Sequence, residues 1–147
     1  MNLATQPPRR PDPVRSRTAS RPPRILVADD DSEFRGLVAE ALRAEGYDVV
    51  EEGDGGRLLV RVAAIYSCGA AADPIDLIVS DYCMPICSGL DILKGLRKAR
   101  WTTPFILMTG FGDDDLFASA RHLGALVMTK PFGATDLLDR VRSLLAT

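Results

Sequence analysis

Five short apolar runs punctuate the chain, and each is followed by polar or glycine-bearing residues and then by apolar positions at helical spacing. The runs are Arg24 to Ala28, Tyr47 to Val50, Leu77 to Ser80, Thr103 to Met108 and Ala125 to Thr129. Several are nearly unbroken, as expected of strands covered on both faces of a parallel sheet. After Ser32, read as a helix cap, Phe34, Leu37, Val38, Ala41 and Leu42 form a stripe that Gly46 ends. From Asp54, Leu58, Leu59, Val62, Ala63 and Tyr66 predict a second helix, with a loop from Ser67 to Pro74. A third helix runs from about Gly89 to Ala99, and a fourth starts at Asp113 to Asp115, where acids suit the positive end of the helix dipole, and stops at Gly124. The last begins at Ala134 or Thr135 and carries Leu137, Leu138, Val141 and Leu145. Strands alternating with helices in this way predict an α/β fold, a doubly wound five-stranded parallel sheet with right-handed crossovers.

Composition sharpens this picture without changing it. A chain of 147 residues, 46% hydrophobic and 26% charged, has the length and make-up of one soluble domain. It holds no apolar run approaching the ~18 residues a membrane span needs. Residues 1–24 contain six Arg and one Asp, whereas the rest contains twelve basic and nineteen acidic residues. The leader also has Pro7, Pro8, Pro11, Pro13, Pro22 and Pro23 and almost no large apolar side chain, so 1–23 is expected to be a disordered Arg/Pro-rich tail and 24–147 the folded domain. Cys68, Cys83 and Cys87 are odd in number and no cleavable apolar leader precedes them, which favours a reducing cytoplasm. Two nearby thiols and a distant His122 fall short of a zinc ligand set.

The chemistry collects where the strands end. Asp29 and Asp30 follow the first strand, Asp81 the third, Thr109 the fourth and Lys130 the fifth. In open α/β sheets ligands bind at this carboxyl edge. Crowded carboxylates repel and raise one another's pKa unless a divalent cation lies between them, and magnesium accepts such oxygen ligands while leaving room for water and phosphate. Lys130 supplies a point charge and Thr109 a hydroxyl for phosphoryl oxygens, which leaves Asp81 as a carboxylate nucleophile toward phosphorus. Of the three consecutive acids, Asp29 and Asp30 are assigned to the site, because Ser32 then caps the helix and Ala28 stays in the strand; Asp31 falls on the rim.

The acidic cluster after strand one, Asp81 with Met84-Pro85 and Gly89, Thr109-Gly110 and Lys130-Pro131-Phe132 together resemble the receiver domain of two-component response regulators over about residues 24–146. The resemblance implies a flavodoxin-like sheet in the order 2-1-3-4-5, with Asp81 as phosphoacceptor, Asp30 as a direct magnesium ligand and Asp29 as a ligand through water. It further implies a metal contact from the backbone carbonyl of Cys83, Thr109 as switch hydroxyl, Lys130 as holder of the phosphoryl group and a cis bond before Pro131. On this reading the chain is a single-domain response regulator, a phosphoprotein of phosphorelay signalling. It takes its phosphoryl group from a histidine kinase or phosphotransfer protein and acts on a downstream protein, with no membrane partner and no direct DNA binding. It is not an enzyme beyond self-phosphorylation and slow self-dephosphorylation.

One position departs from the family pattern. Receivers usually carry an aromatic ring three residues before the Lys, and Val127 stands there, which shifts the expected switch toward the fourth helix and Phe111. The competing reading is a phosphorylation-independent interaction module on the same fold. A dehalogenase-type phosphatase would need an acid where Cys83 stands, and no G-x-G-x-x-G follows the first strand to suggest a dinucleotide enzyme. The helix-four, strand-five, helix-five face is the family's usual signalling surface, with Arg121, Arg140 and Arg142 expected on or near it. His122 is read as solvated, and Trp101 as partly exposed packing.

Overall fold

The computed structural model describes residues 21–68 and 74–146. Residues 1–20 of the tail expected over residues 1–23, and most of the loop expected between Ser67 and Pro74, lie outside the described residues. In chain order the elements are β1 (Arg24–Ala28), α1 (Ser32–Ala44), β2 (Asp48–Glu52), α2 (Gly55–Cys68), β3 (Leu77–Asp81), α3 (Gly89–Lys98), β4 (Phe105–Thr109), α4 (Asp114–His122), β5 (Leu126–Thr129) and α5 (Ala134–Leu145). All strand pairs are parallel, in the order β2-β1-β3-β4-β5, as expected. Among the described residues no helix is long and apolar enough to cross a membrane.

Strand alternation divides the core into two layers. Ile25, Val27, Leu77, Val79, Ile106, Met108 and Met128 point to the side covered by α1 and α5, where Val38, Leu42, Leu137 and Val141 meet them. Leu26, Ala28, Ile78, Phe105 and Leu107 point the other way, onto Leu58 and Val62 of α2, Ile92, Leu93 and Leu96 of α3 and Leu116 and Ala120 of α4. The central strands are buried on both faces, which is why they read as continuous apolar runs. Arg97 braces the amino end of the sheet, donating to the carbonyls of Leu123, Trp101 and Thr103 at 2.7, 2.7 and 2.9 Å.

Several expectations shift. Asp31, not Ser32, is the N-cap of α1, its carboxylate accepting from the N–H groups of Glu33 and Phe34; Ser32 is the first helical residue. Both types cap well, and the bond closes from the earlier one. β2 begins and ends later than Tyr47 to Val50, because a strand at the sheet edge keeps its ladder through Glu51 and Glu52, whose side chains reach solvent. Leu37 and Leu59 belong to the helical stripes but are 61% and 49% exposed, so those stripes are wider than the surface the sheet covers. Gly46 and Gly124 end α1 and α4 at φ +93° and +74°, the left-handed cap that glycine adopts without strain.

The close packing of α3 on β3 rests on another glycine. A side chain at Gly89 would overlap the carbonyl oxygen of Asp81 and come within 2.9 Å of Ser80 Oγ, and the Gly89 N–H already donates to Tyr82 O at 3.1 Å. Gly89→Ala is therefore expected to destabilise the fold by about 3 kcal/mol in urea unfolding, at the upper end of overpacking costs. An unchanged midpoint would show that the junction relaxes freely.

Candidate functional site

Parity along the strands brings the site together. Asp29 follows Ile25 and Val27, and Asp81 follows Leu77 and Val79, so both acids continue the alternate set on the α1/α5 side. Backbone ladders hold them past the strand ends: Asp29 N donates to Glu52 O at 3.1 Å, Tyr82 N to Met108 O at 2.7 Å and Lys130 N to Thr109 O at 2.7 Å. The Lys130-Pro131 bond is cis, as the resemblance implied.

Asp29 is fully buried, and each of its carboxylate oxygens has a partner. Oδ1 accepts from the Asp31 N–H at 2.9 Å, and Oδ2 from Lys130 Nζ at 2.8 Å. Lys130 Nζ also lies 3.3 Å from Oδ1 of Asp81, so one ammonium bridges two acids from different strands. Three carboxylate oxygens, one each from Asp29, Asp30 and Asp81, fall within 4.8 Å of one another. A single ammonium in contact with these carboxylates leaves negative charge uncompensated, and hard oxygen donors so arranged fit a divalent ion such as magnesium.

The electrostatics follow from this crowding. Burial, then the charge of Asp29, push the Asp81 carboxyl above its ordinary value of 3.8, against the opposing pull of Lys130. Burial by itself would lower Lys130, but its hydrogen bond to Asp29 and the charges of Asp81 and Asp29 outweigh that and leave it raised.

Two groups the sequence did not single out complete the shell. The Phe34 ring lies 4.3 Å from Lys130 Nζ and meets Phe132 edge-on at 5.7 Å, so the ammonium rests on an aromatic face. Arg35 donates to the Asp29 carbonyl at 2.8 Å. Helical spacing puts Phe34 in the core stripe; its position one turn after the acidic cluster is the available signal.

Thr109 is placed differently from the other expected site residues. It is buried at the end of β4, yet its hydroxyl donates to Phe111 O at 2.8 Å and accepts the Phe111 N–H at 3.1 Å. The hydroxyl is thus bound to its own loop and, among the described residues, makes no hydrogen bond with Asp81 or Lys130. Phe111 itself is 94% exposed. Cys83 is exposed and lines a shallow recess with Asp30, Tyr82, Met84, Pro85 and Ser88 on the open side of the acid cluster. Asp31 is exposed on the rim, as expected, and His122 is solvated. Of the three arginines, Arg121 and Arg140 line one recess by β5, whereas Arg142 turns to Glu45 at 2.7 Å and Asp139 at 3.3 Å, toward α1, and is not part of that surface.

A family model described as the response regulator receiver domain matches residues 25–142. The transcriptional regulatory protein PdtaR of Mycobacterium tuberculosis is 32% identical over 130 residues, 88% of this chain and 60% of its own length. CpxR of Escherichia coli, also a transcriptional regulatory protein, is 35% identical over 123 residues, 83% of this chain and 49% of its own. The chain thus spans about half to three-fifths of the length of these relatives. Among solved structures, the receiver domain of the Francisella response regulator 1452 superposes with a TM-score of 0.74 at 29% identity, covering 84% of this chain and 97% of that one. A receiver domain protein from Methanospirillum hungatei gives 0.74 at 25% identity, covering 85% and 94%.

Proposed function

Because the chain belongs to the response regulator receiver domain family, we propose that it accepts a phosphoryl group on Asp81 from a histidine kinase or phosphotransfer protein and signals the change to a protein partner. Receiver domains are signalling modules rather than enzymes that turn over a separate substrate. The observation that carries the reading is the bridge from Lys130 to both Asp29 and Asp81, with Asp30 beside them.

An Asp81 carboxylate oxygen attacks phosphorus; the new P–O bond forms as the P–N bond to the donor imidazole breaks, and the imidazole keeps the electron pair and takes a proton from solvent. Lys130 meets the charge on the phosphoryl oxygens, and Asp29 keeps that ammonium aligned. The side chains of Asp30 and Asp81, Asp29 through water, and the carbonyl of Cys83 would hold magnesium, whose charge offsets the repulsion between these acids and an incoming phosphoryl group. The reading places the protein in the cytoplasm, with its phosphodonor. Incubation with acetyl phosphate and magnesium should add one phosphoryl group to the intact protein. The engagement of the Thr109 hydroxyl by Phe111 and the valine at position 127 favour a second reading, a phosphorylation-independent interaction module, which predicts no mass gain.

The Thr109–Phe111 pair suggests how the signal leaves the site. If the hydroxyl turns to the phosphoryl group, it must release Phe111 and the segment leading into α4. Amide exchange across Phe111 to Ala120 should quicken when a beryllium fluoride analogue is bound; identical exchange would end this route. Cys83 and Phe111 flank the attack path, and neither can orient water. Cys83→Asn is expected to shorten the phosphorylated lifetime several-fold, and an unchanged lifetime would count against the assignment.

A further inference from the structure

Lys130 is held from three sides, and only two of them are acids. Its Nζ donates to Asp29 Oδ2 at 2.8 Å, lies 3.3 Å from Asp81 Oδ1 and sits 4.3 Å from the centroid of the Phe34 ring. The position of that ring is fixed through its backbone and through its edge. The Phe34 N–H donates to Asp31 Oδ1 at 3.1 Å, and the Asp31 N–H donates to Asp29 Oδ1 at 2.9 Å, so one short segment after β1 presents Lys130 with both a carboxylate and an aromatic face. The half-buried ring also meets Phe132, two residues after Lys130, at 5.7 Å between centroids and 77° between planes, the edge-on geometry that aromatic pairs favour.

An aromatic face suits an ammonium that must change partners. Lysine carries its charge on a flexible four-carbon stem, so the charge stays in place only where its surroundings hold it. In the unphosphorylated protein Asp81 takes part of that charge, but an attacking Asp81 needs the ammonium on the phosphoryl oxygens instead. A further acid in place of Phe34 would compete for those N–H groups, whereas a ring attracts the charge without accepting a strong hydrogen bond. A leucine there would fill apolar space and offer no such attraction. We infer that Phe34 is a positioning residue for phosphoryl transfer: its ring keeps the Lys130 ammonium over the acid cluster while the ammonium exchanges Asp81 for the oxygens of the incoming phosphoryl group. The inference rests on the reading of Asp81 as phosphoacceptor and adds to it a residue of α1 that acts only through Lys130.

The test uses the full chain with phenylalanine at position 34 replaced by analogues of increasing fluorination, which drain the negative face of the ring while nearly keeping its shape. Initial rates of phosphorylation by subsaturating acetyl phosphate, each at saturating magnesium, should fall stepwise along the series, by about fivefold for the fully fluorinated ring, the scale of a partly exposed cation–π contact. Phe34→Leu should fall at least as far. A packing role alone predicts one rate across the series. A second readout does not depend on phosphorylation. Lys94 and Lys98, the chain's other lysines, are exposed on α3, so in NMR of protein with isotopically labelled lysine the Lys130 ε-methylene protons should stand apart, shifted upfield by the Phe34 ring current, and should rejoin the other two in Phe34→Leu. Equal rates along the series in a protein that is phosphorylated would overturn the inference and leave Asp81 in its role. Lys130 signals that do not move in Phe34→Leu would overturn it too, because the contact would be absent in solution. No phosphorylation of the parent protein, with the upfield signals in place, would remove the phosphoacceptor reading and this inference with it.

Discussion

Asp81→Asn is expected to bring phosphoryl incorporation from acetyl phosphate to background, a loss of at least about a thousandfold, because an amide oxygen is no nucleophile toward phosphorus. The same substitution should raise stability in magnesium-free buffer. Burial and the charge of Asp29 hold the Asp81 pKa above 3.8, so the folded protein takes up that proton more readily than the unfolded chain does. Ionising Asp81 therefore costs the folded state: stability falls as pH rises from 3.8 through the raised value, and the full cost is present above it. The neutral Asn avoids that cost. Urea unfolding should show the variant ahead of the parent at neutral pH and level with it once the pH falls below the ordinary carboxylate value. Equal stability at neutral pH would mean that Lys130 already compensates Asp81 fully. Retained phosphorylation would remove Asp81 from the role altogether.

Lys130→Ala should produce the largest loss of stability of any single change at the site. Among the described residues the ammonium is the only side-chain donor to the buried Asp29 carboxylate, and it lies 3.3 Å from Asp81, so its removal leaves two acids facing each other with one of them sealed from water. Breaking a buried ion pair by deleting one partner costs roughly 3 kcal/mol. Much of this loss should return in millimolar magnesium, because a cation bound only by the folded protein stabilises it by mass action. Gly89→Ala, whose defect is steric, should gain no more from magnesium than the parent protein does. Urea curves with magnesium or with chelator separate the two cases. If Lys130→Ala is as stable as the parent without magnesium, the acids are not coupled as their distances indicate.

The sheet was legible because physics repeats itself along the chain. Ile25 to Ala28, Leu77 to Ser80 and Phe105 to Met108 are covered on both faces, so no solvent-facing position interrupts their apolar runs. The edge was harder: β2 runs on through Glu51 and Glu52, whose polarity says loop while their backbones pair with Val27 and Ala28. At the start of α1 two adjacent good caps compete, and sequence could not rank Asp31 above Ser32. The gathering of Asp29, Asp30, Asp81 and Lys130 could be anticipated because parallel strands deliver their ends to one edge. Contacts across that edge could not. That Phe34 lies under the Lys130 ammonium depends on a pairing between α1 and the turn after β5, and that Thr109 turns to Phe111 is a matter of one side-chain rotation. Neither leaves a mark in spacing or periodicity.

The most direct test of the convergence of these acids is calorimetric titration of the purified full chain with magnesium chloride. One saturable site is expected in the parent protein, lost in Asp30→Ala, a variant at an exposed position that should leave the fold intact. No binding by the parent protein, or binding that persists unchanged in Asp30→Ala, would contradict it.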